Sequence, residues 1–471
     1  MAQIERIRRE GDFVLNELTL IVPSEGKEYD ISGHWVQFIY EEDLFRAFTH
    51  FSVIMMDSID YPSLIPLVGG ERIRVSFTRQ KEDEPINQSI DKGDTSRPSQ
   101  EVELLDPITF EGVLYTIDNR HIANGSDKAQ SYILQCISPE AVNAVKTKVT
   151  RAWKKSLYSD VVKDVFDEFI KENKELEVEP TLMSQDFVGA NKKPVVVIKE
   201  IRKRAQSSVG QNNTLYTFYE DADSFHFKTI NTLIEQPPVK TIQFEVNNVV
   251  YTNSISHADK DIARDINRVE TYFHSKEFDL LDEMMNGQYS SSLLVVDPIR
   301  RVFETKEYSL EDNYNKFKHL ESNKSYRADH PAIGNPKSRY SYVVAPYGRE
   351  QQAHLVERDA EISSFFLEEV IPYRESQLEQ IRKRVVTLNF PGDPRVRVGN
   401  IINFEIPEVS GRVSDDYPQE KDRYLNGKYL IVGISHVIEQ TEYYISVDLI
   451  KDSYLSEIIH RDPIQRYKEA Y

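Results

Sequence analysis

Near its two ends the chain alternates apolar and polar residues with a period of two. Ile73, Val75 and Phe77 share one face of Gly70–Phe77, and Ile402, Phe404 and Ile406 share one face of Gly399–Ile406. One apolar face at period two predicts a half-buried β-strand. In each copy a polar insertion follows, about Gln80–Pro107 in the first and Pro407–Arg423 in the second. Both are rich in the Pro, Gly, Ser and Asp of exposed loops, so we expect them to be exposed and partly mobile. The strand pattern then resumes. Phe110–Ile117, running on to His121, matches Leu425–Val432, running on to His436, and this alignment sets Gly112 against Gly427. Ser131–Ile137 and Tyr444–Ile450 close the two copies as hairpin partners. The same order twice predicts a duplication: two similar small antiparallel β-barrels, near residues 40–140 and 385–452.

Between them the period changes. Val161, Val162, Val165, Phe166, Phe169 and Ile170 recur at helical spacing, which predicts a helix that Ser159 can cap, or that starts a little earlier, running to about Lys171. Pro194 predicts the first turn of a second helix over Pro194–Ala205. Its basic run Lys199, Arg202, Lys203, Arg204 is interrupted by Glu200 and reads as a solvated face rather than a nucleic-acid patch. Leu215–Tyr219 and Phe225–Lys228 form a hairpin around Asp221–Ser224. From about 240 to 340 the signals are short and mixed: Thr241–Tyr251, Ile262–Tyr272, and Ser291–Val296 after Gly287. A helical pattern over Glu357–Arg384, interrupted at Pro372, leads into the second copy. The fold class is therefore α+β, mainly β, with two barrels separated by a helix-containing α+β middle. Domain boundaries fall at 1–140, 141–240, 241–384 and 385–471.

Composition changes this picture in three ways. With 39% hydrophobic residues, 26 Tyr and 22 Phe among 471, the chain has enough apolar surface for a core and leans toward β structure. A formal charge of −19, from 58 basic against 77 acidic residues, opposes nucleic-acid and anionic-lipid binding. A single cysteine, Cys136, rules out internal disulfides and multi-cysteine metal sites; it shares an alternating face with Tyr132 and Leu134, which predicts a buried, inert thiol. No apolar h-region follows the charged start, and no window is long enough to span a membrane.

Chemistry-bearing motifs are missing. The chain lacks GxxxxGK[ST], G-x-S-x-G and HExxH, and its eleven His are scattered. His121 and His436 read as strand-end residues. Glu220, Asp221 and Asp223 suggest a calcium loop but lack its glycine at position six and glutamate at twelve, so they read as turn residues. No catalytic, cofactor-binding or metal-binding residue is assigned, and no cofactor is implied. A carboxylate pair of the glycosidase kind is the enzyme alternative that motifs cannot exclude.

Four segments in linear order carry a resemblance. They are LIPLVGGERIRVSF (64–77) with TFEGVLYTID and SYILQCISPE (131–140), PVVVIKEIRKRA with LYTFYEDADSFHFKTINTL ending at Leu233, MMNGQYSSSLLVVDP (284–298), and RVRVGNIINFEIP (395–407). Together they resemble the central baseplate hub proteins of contractile-tailed bacteriophages, the family of the T-even hub protein and late control protein D. Paired FYE and FHF strands about an acidic turn are a frequent landmark there; Ser224 stands where relatives often have Gly. The resemblance implies tube-like barrel domains and a non-enzymatic homotrimer whose six barrels form a pseudo-sixfold ring. That ring would line a channel and join a hexameric tail tube to a trimeric central spike. The implied partners are the spike, tail tube, tape-measure and baseplate wedge proteins, with neither specific nucleic-acid binding nor membrane insertion. The implied location is the virion tail, after assembly in the host bacterial cytoplasm. The alternatives are a tip adaptor of a non-contractile tail or contractile injection system, and a tail-associated peptidoglycan hydrolase.

Overall fold

The computed structural model describes residues 11–459, except 66, 80–103, 123–128, 183, 211, 245–266, 277, 298–300, 328, 334–336, 345–366, 383–384 and 409–420. Both polar insertions fall largely outside the described residues. The fold is mainly β. Seven strands come from the first part of the chain: β1 Val14–Val22, β2 Lys27–Asp30, β3 Trp35–Asp43, β4 His50–Asp57, β5 Arg72–Thr78, β6 Ile108–Ile122 and β7 Gln130–Ile137. The middle contributes β8 Val149–Leu157, β9 Leu176–Val178, β10 Ser184–Lys192, β11 Tyr216–Glu220, β12 Phe225–Thr229, β13 Pro238–Gln243, β14 Thr271–Lys276, β15 Ser290–Asp297, β16 Val302–Ser309, β17 Asn323–Lys324 and β18 Arg339–Val344. The last are β19 Val385–Pro391, β20 Ile401–Glu405, β21 Gly427–Glu439, β22 Tyr443–Ile450 and β23 Ser453–Tyr454.

A single 13-stranded sheet contains both halves of the repeat. In the first half the strand order is β3-β4-β7-β6-β5-β1, with β2 added outside β1; in the second it is β14-β19-β22-β21-β20-β13. All neighbours within these two sets are antiparallel except β13 and β20, which are parallel. Period-two alternation places Ile73, Val75, Phe77, Ile402, Phe404 and Ile406 in the core, along with Tyr132, Leu134 and Cys136.

The correspondence extends to individual hydrogen bonds. Gly70 N–H donates to Leu114 O (2.9 Å) and Leu114 N–H to Glu71 O (2.8 Å). In the second half Gly399 N–H donates to Ile431 O (2.9 Å) and Ile431 N–H to Asn400 O (3.0 Å). Directly afterwards both long strands slip register, between Leu114 and Thr116 in β6 and between Ile431 and Gly433 in β21. A bulge of this kind bends and twists the strand so that its far end leaves one neighbour and meets another.

This register corrects part of the sequence alignment. Leu114 corresponds to Ile431, so Gly112 matches Tyr429 rather than Gly427. The two glycines answer different local needs: a Cβ on Gly112 would come within 2.0 Å of the Phe51 ring, whereas Gly427 has φ of 120° beside Glu321. His121 and His436 are likewise not equivalent. His121 is exposed opposite Ser131, whereas His436 is fully buried opposite Ile445, with Nδ1 2.8 Å from Tyr443 Oη.

Gly70 (φ 98°) and Gly399 (φ 83°) both need the left-handed region. A Cβ on Gly399 would lie 2.6 Å from Tyr219 Oη, while one on Gly70 would meet nothing within 4 Å. Gly70→Ala should therefore cost only the backbone term, about 1–2 kcal/mol. Gly399→Ala should cost clearly more because Tyr219 must also move. Urea midpoints of the two variants measured side by side check the ranking.

In the middle, helices Tyr158–Phe169 and Pro194–Arg202 pack against β11 and β12 around Val161, Val165, Phe166, Val197, Ile201 and Phe225. The first helix begins before Ser159, which is no cap; the Ser159 N–H is instead satisfied by Thr181 Oγ1 at 3.0 Å. The second starts at Pro194 as expected. Strands β16-β15-β18 form a further sheet, beside a core of Tyr289, Tyr308, Tyr314, Phe317 and Tyr326. Helix Leu367–Ile381 continues through Pro372, where the sequence suggested an interruption. A proline removes one N–H donor, and packing of the next two turns, with Ser376, Gln377, Gln380 and Ile381 buried, outweighs that loss.

Candidate functional site

The feature that organises the molecule is the seam where the two halves meet. β21 is longer than its partner β20: Gly427–Leu430 pairs with β20, and Gly433–Glu439 then pairs antiparallel with β3. The bulge at Ile431/Gly433 produces this change of partner. Leu44, just beyond β3, extends the seam by donating its N–H to Val432 O at 2.8 Å.

Buried charges lock the seam. Asp393, which follows β19, receives Arg395 Nη2 at 2.7 Å, Lys240 Nζ at 3.1 Å and Arg79 Nη2 at 3.3 Å. These groups come from the end of β5, from β13 and from the second half, so one carboxylate joins segments 314 residues apart. Burial works to raise the Asp393 pKa, but the Arg395 hydrogen bonds and the charges of Lys240 and Arg79 outweigh it and hold it far below the usual carboxylate range.

Glu42 of β3 is the second lock. Its carboxylate accepts the N–H of Ala222 and that of Val398, each at 3.0 Å, with Arg397 Nε at 3.9 Å. It therefore ties the first half to both the acidic turn and the second half. Glu220 adds a third tie, accepting Thr49 N–H at 2.9 Å and Lys174 Nζ at 2.7 Å. Farther along, His319 Nδ1 meets the buried Asp452 Oδ2 at 2.7 Å.

Burial pushes the Glu42 carboxyl up to about 7, against the opposing pull of Arg397. A carboxyl with a raised native pKa contributes stability below its unfolded value, and that contribution is lost as pH rises through the native value. Between about pH 4.5 and 7, Glu42 should thus remove up to about 3 kcal/mol as pH rises. Glu42→Gln should flatten this part of the profile. Urea midpoints at pH 5 and pH 8 should fall less in the variant than in the parent protein.

The acidic turn has a structural use for its carboxylates. Asp221 Oδ1 accepts the N–H groups of Asp223 (2.9 Å) and Ser224 (2.7 Å), and Oδ2 lies 2.7 Å from His226 Nε2. Cys136 is buried within the sheet, which raises its thiol pKa well above the ordinary value. Lys199, Lys203 and Arg204 are exposed, as a solvated helix face requires, whereas Arg202 is half-buried and its Nε is shut off from solvent. Among the described residues, no group of three or more His, Cys, Asp or Glu is arranged to hold a metal ion. No helix among them is long and apolar enough to cross a membrane. Sequence reasoning did not single out Glu42, Asp393, Arg79 or Asp452, because a charge that will be buried has no local signature; apart from Arg395 beside Asp393, the partners named here lie more than a hundred residues away.

The chain is similar in sequence to a probable phage baseplate hub protein. It is 21% identical over 309 residues, covering 64% of this chain and 67% of the relative, to the probable baseplate hub protein gp334 of Vibrio phage KVP40. Among solved structures, a tail protein from Neisseria meningitidis MC58 aligns over 93% of this chain and 96% of its own, with 11% identity and a TM-score of 0.48. The 43 kDa tail protein of prophage MuSo2 from Shewanella oneidensis aligns over 93% and 98%, with 9% identity and a TM-score of 0.48. No protein-family model matches the chain.

Proposed function

We propose that this chain is a structural, non-enzymatic subunit of a phage tail baseplate: a homotrimeric hub. In this reading residues 1–140 and 385–471 are two tube-like barrel domains. Residues 141–240 and 241–384 connect them, the second barrel borrowing β13 and β14 from the connecting sequence. Three chains then supply six near-equivalent barrels around a channel, which matches a sixfold tail tube on one side and a threefold spike on the other. The observation that carries the proposal is the repeated six-strand order, with the same glycine hydrogen bonds and the same bulge, in two halves joined side by side. The similarity to the probable baseplate hub protein of KVP40 supports the baseplate assignment. In the virion the partners are the spike, tail tube, tape-measure and wedge proteins.

Charge has a consequence for assembly. Three chains of −19 gather about 57 excess negative charges, whose repulsion grows at low ionic strength. Trimer formation should be favoured by moderate salt, and the trimer should bind neither duplex nor single-stranded DNA at physiological salt. Sedimentation velocity across a salt and concentration series, alone and with the spike protein, tests this; a monomer under every condition would overturn the hub. A turbidity assay on peptidoglycan should show no lysis, and lysis would favour the hydrolase alternative.

A further inference from the structure

Buried cations in this acidic chain are met by carboxylates. Arg79 and Lys240 reach Asp393, Lys174 reaches Glu220, and Arg397 faces Glu42. Arg202 and Arg374 depart from that rule. Both are half-buried, and the Nε of each is shielded from solvent without a hydrogen-bond partner. Among the described residues, neither side chain enters a hydrogen bond or an ion pair. Glu375 is next to Arg374 in sequence, but its carboxylate is held by Arg339 Nη1 at 2.8 Å.

The two arginines come from separate helices that the fold brings together. Arg202 is the last residue of helix Pro194–Arg202, and Arg374 lies midway along helix Leu367–Ile381. One turn after Arg374, Gln377 Nε2 donates to Asn231 Oδ1, and Asn231 Nδ2 donates in turn to Asn213 Oδ1. Asn213 O accepts the Ser207 N–H at 2.8 Å, in the loop that continues from helix Pro194–Arg202. Burial and then the like charge of Arg374 pull the Arg202 pKa down. Burial also pulls Arg374 down; Glu375 opposes this, and Arg382 adds to it.

A helix C-terminus favours one cation, but nothing in it compensates a second one alongside. Two half-buried guanidiniums without a counter-charge are costly, and the cost is removed by an anion placed between them. Guanidinium forks match the oxygens of phosphate, and two positive charges suit an anion of charge two better than a single carboxylate.

We infer that Arg202 and Arg374 form a binding site for a phosphate dianion, free or carried as a phosphate monoester, which bridges the two helices. The anion would then tie the stretch 141–240 to the stretch 241–384 where their helices meet. The site is independent of the proposed hub, and each can fail without the other.

The experiment titrates the full chain with inorganic phosphate, and separately with glycerol phosphate, by calorimetry at ionic strength held constant with chloride. Phosphate should bind saturably at one site per chain, and the urea midpoint should rise with its concentration. Arg202→Gln and Arg374→Gln should each weaken binding about tenfold or more, while Lys203→Gln, at the same helix end but exposed, should change it less than about twofold. In phosphate-free buffer the two arginine variants should match or exceed the parent's urea midpoint, because each removes an uncompensated charge. A lower midpoint there would show that the arginines already have partners within the chain and would overturn the site. Absence of saturable binding, or binding that both arginine variants retain, would overturn it as well. Binding of inorganic phosphate alone assigns a free ion, and binding of both probes assigns the phosphoryl group. An equal response to acetate would mark a carboxylate site and overturn the phosphate assignment.

Discussion

Asp393→Asn should destabilise the protein by about 3–5 kcal/mol at neutral pH, the range for breaking a buried ion pair from one side. The carboxylate is fully buried and is shared by Arg79, Lys240 and Arg395. Neutralising it removes the anion that the buried Arg79 and Lys240 both contact. Because the native pKa of Asp393 is depressed, its contribution is complete above the ordinary unfolded value of about 4 and is lost only as pH falls through the native value. The difference in urea midpoint between parent and variant should therefore be constant from pH 5 to 8 and shrink only in strong acid. Adding Arg79→Met to Asp393→Asn should cost less than the sum of the two single substitutions, since both remove the same Arg79–Asp393 ion pair. A strictly additive double variant would mean that the two residues do not share a network.

Phe110→Ala is expected to cost about 3–5 kcal/mol, as for other buried phenylalanines. Phe110 stands at the centre of the first half's aromatic core: its ring centroid is 4.3 Å from that of Tyr40, 4.9 Å from Phe51 and 5.4 Å from Phe38. Phe51 in turn lies over Gly112, so the core cannot close around the lost ring without moving a strand. Phe110→Leu, which refills most of the volume, should cost roughly half as much. Urea unfolding of the three proteins followed by tyrosine fluorescence reads the series. A Phe110→Ala cost below that of Phe110→Leu would place the centre of the core elsewhere.

How much of this was legible in the chain depended on how local its cause was. The alternation of Ile73, Val75 and Phe77, and of Ile402, Phe404 and Ile406, was enough to identify the strands, because a side chain's face in a strand depends only on its parity. Pro194 identified a helix start, and Asp221 a turn, because capping and turn hydrogen bonds close within a few residues. The repeat was visible as order but misaligned by two residues at Gly112 and Gly427. Glycines there relieve different crowding, one beneath Phe51 and the other beside Glu321, and crowding is a property of neighbours distant in sequence.

The acidic balance, the lone buried cysteine and the duplicated strand order were thus set by the sequence itself. Only the tertiary structure decided that β13 and β14, from the mixed stretch after residue 237, complete the second half. It alone decided that a bulge hands β21 from β20 to β3, and that Asp393 and Glu42 hold the seam. Strand edges and buried ion pairs are relations between segments. Their energies come from removing water between two surfaces and pairing the groups left there, so they exist only once the surfaces meet.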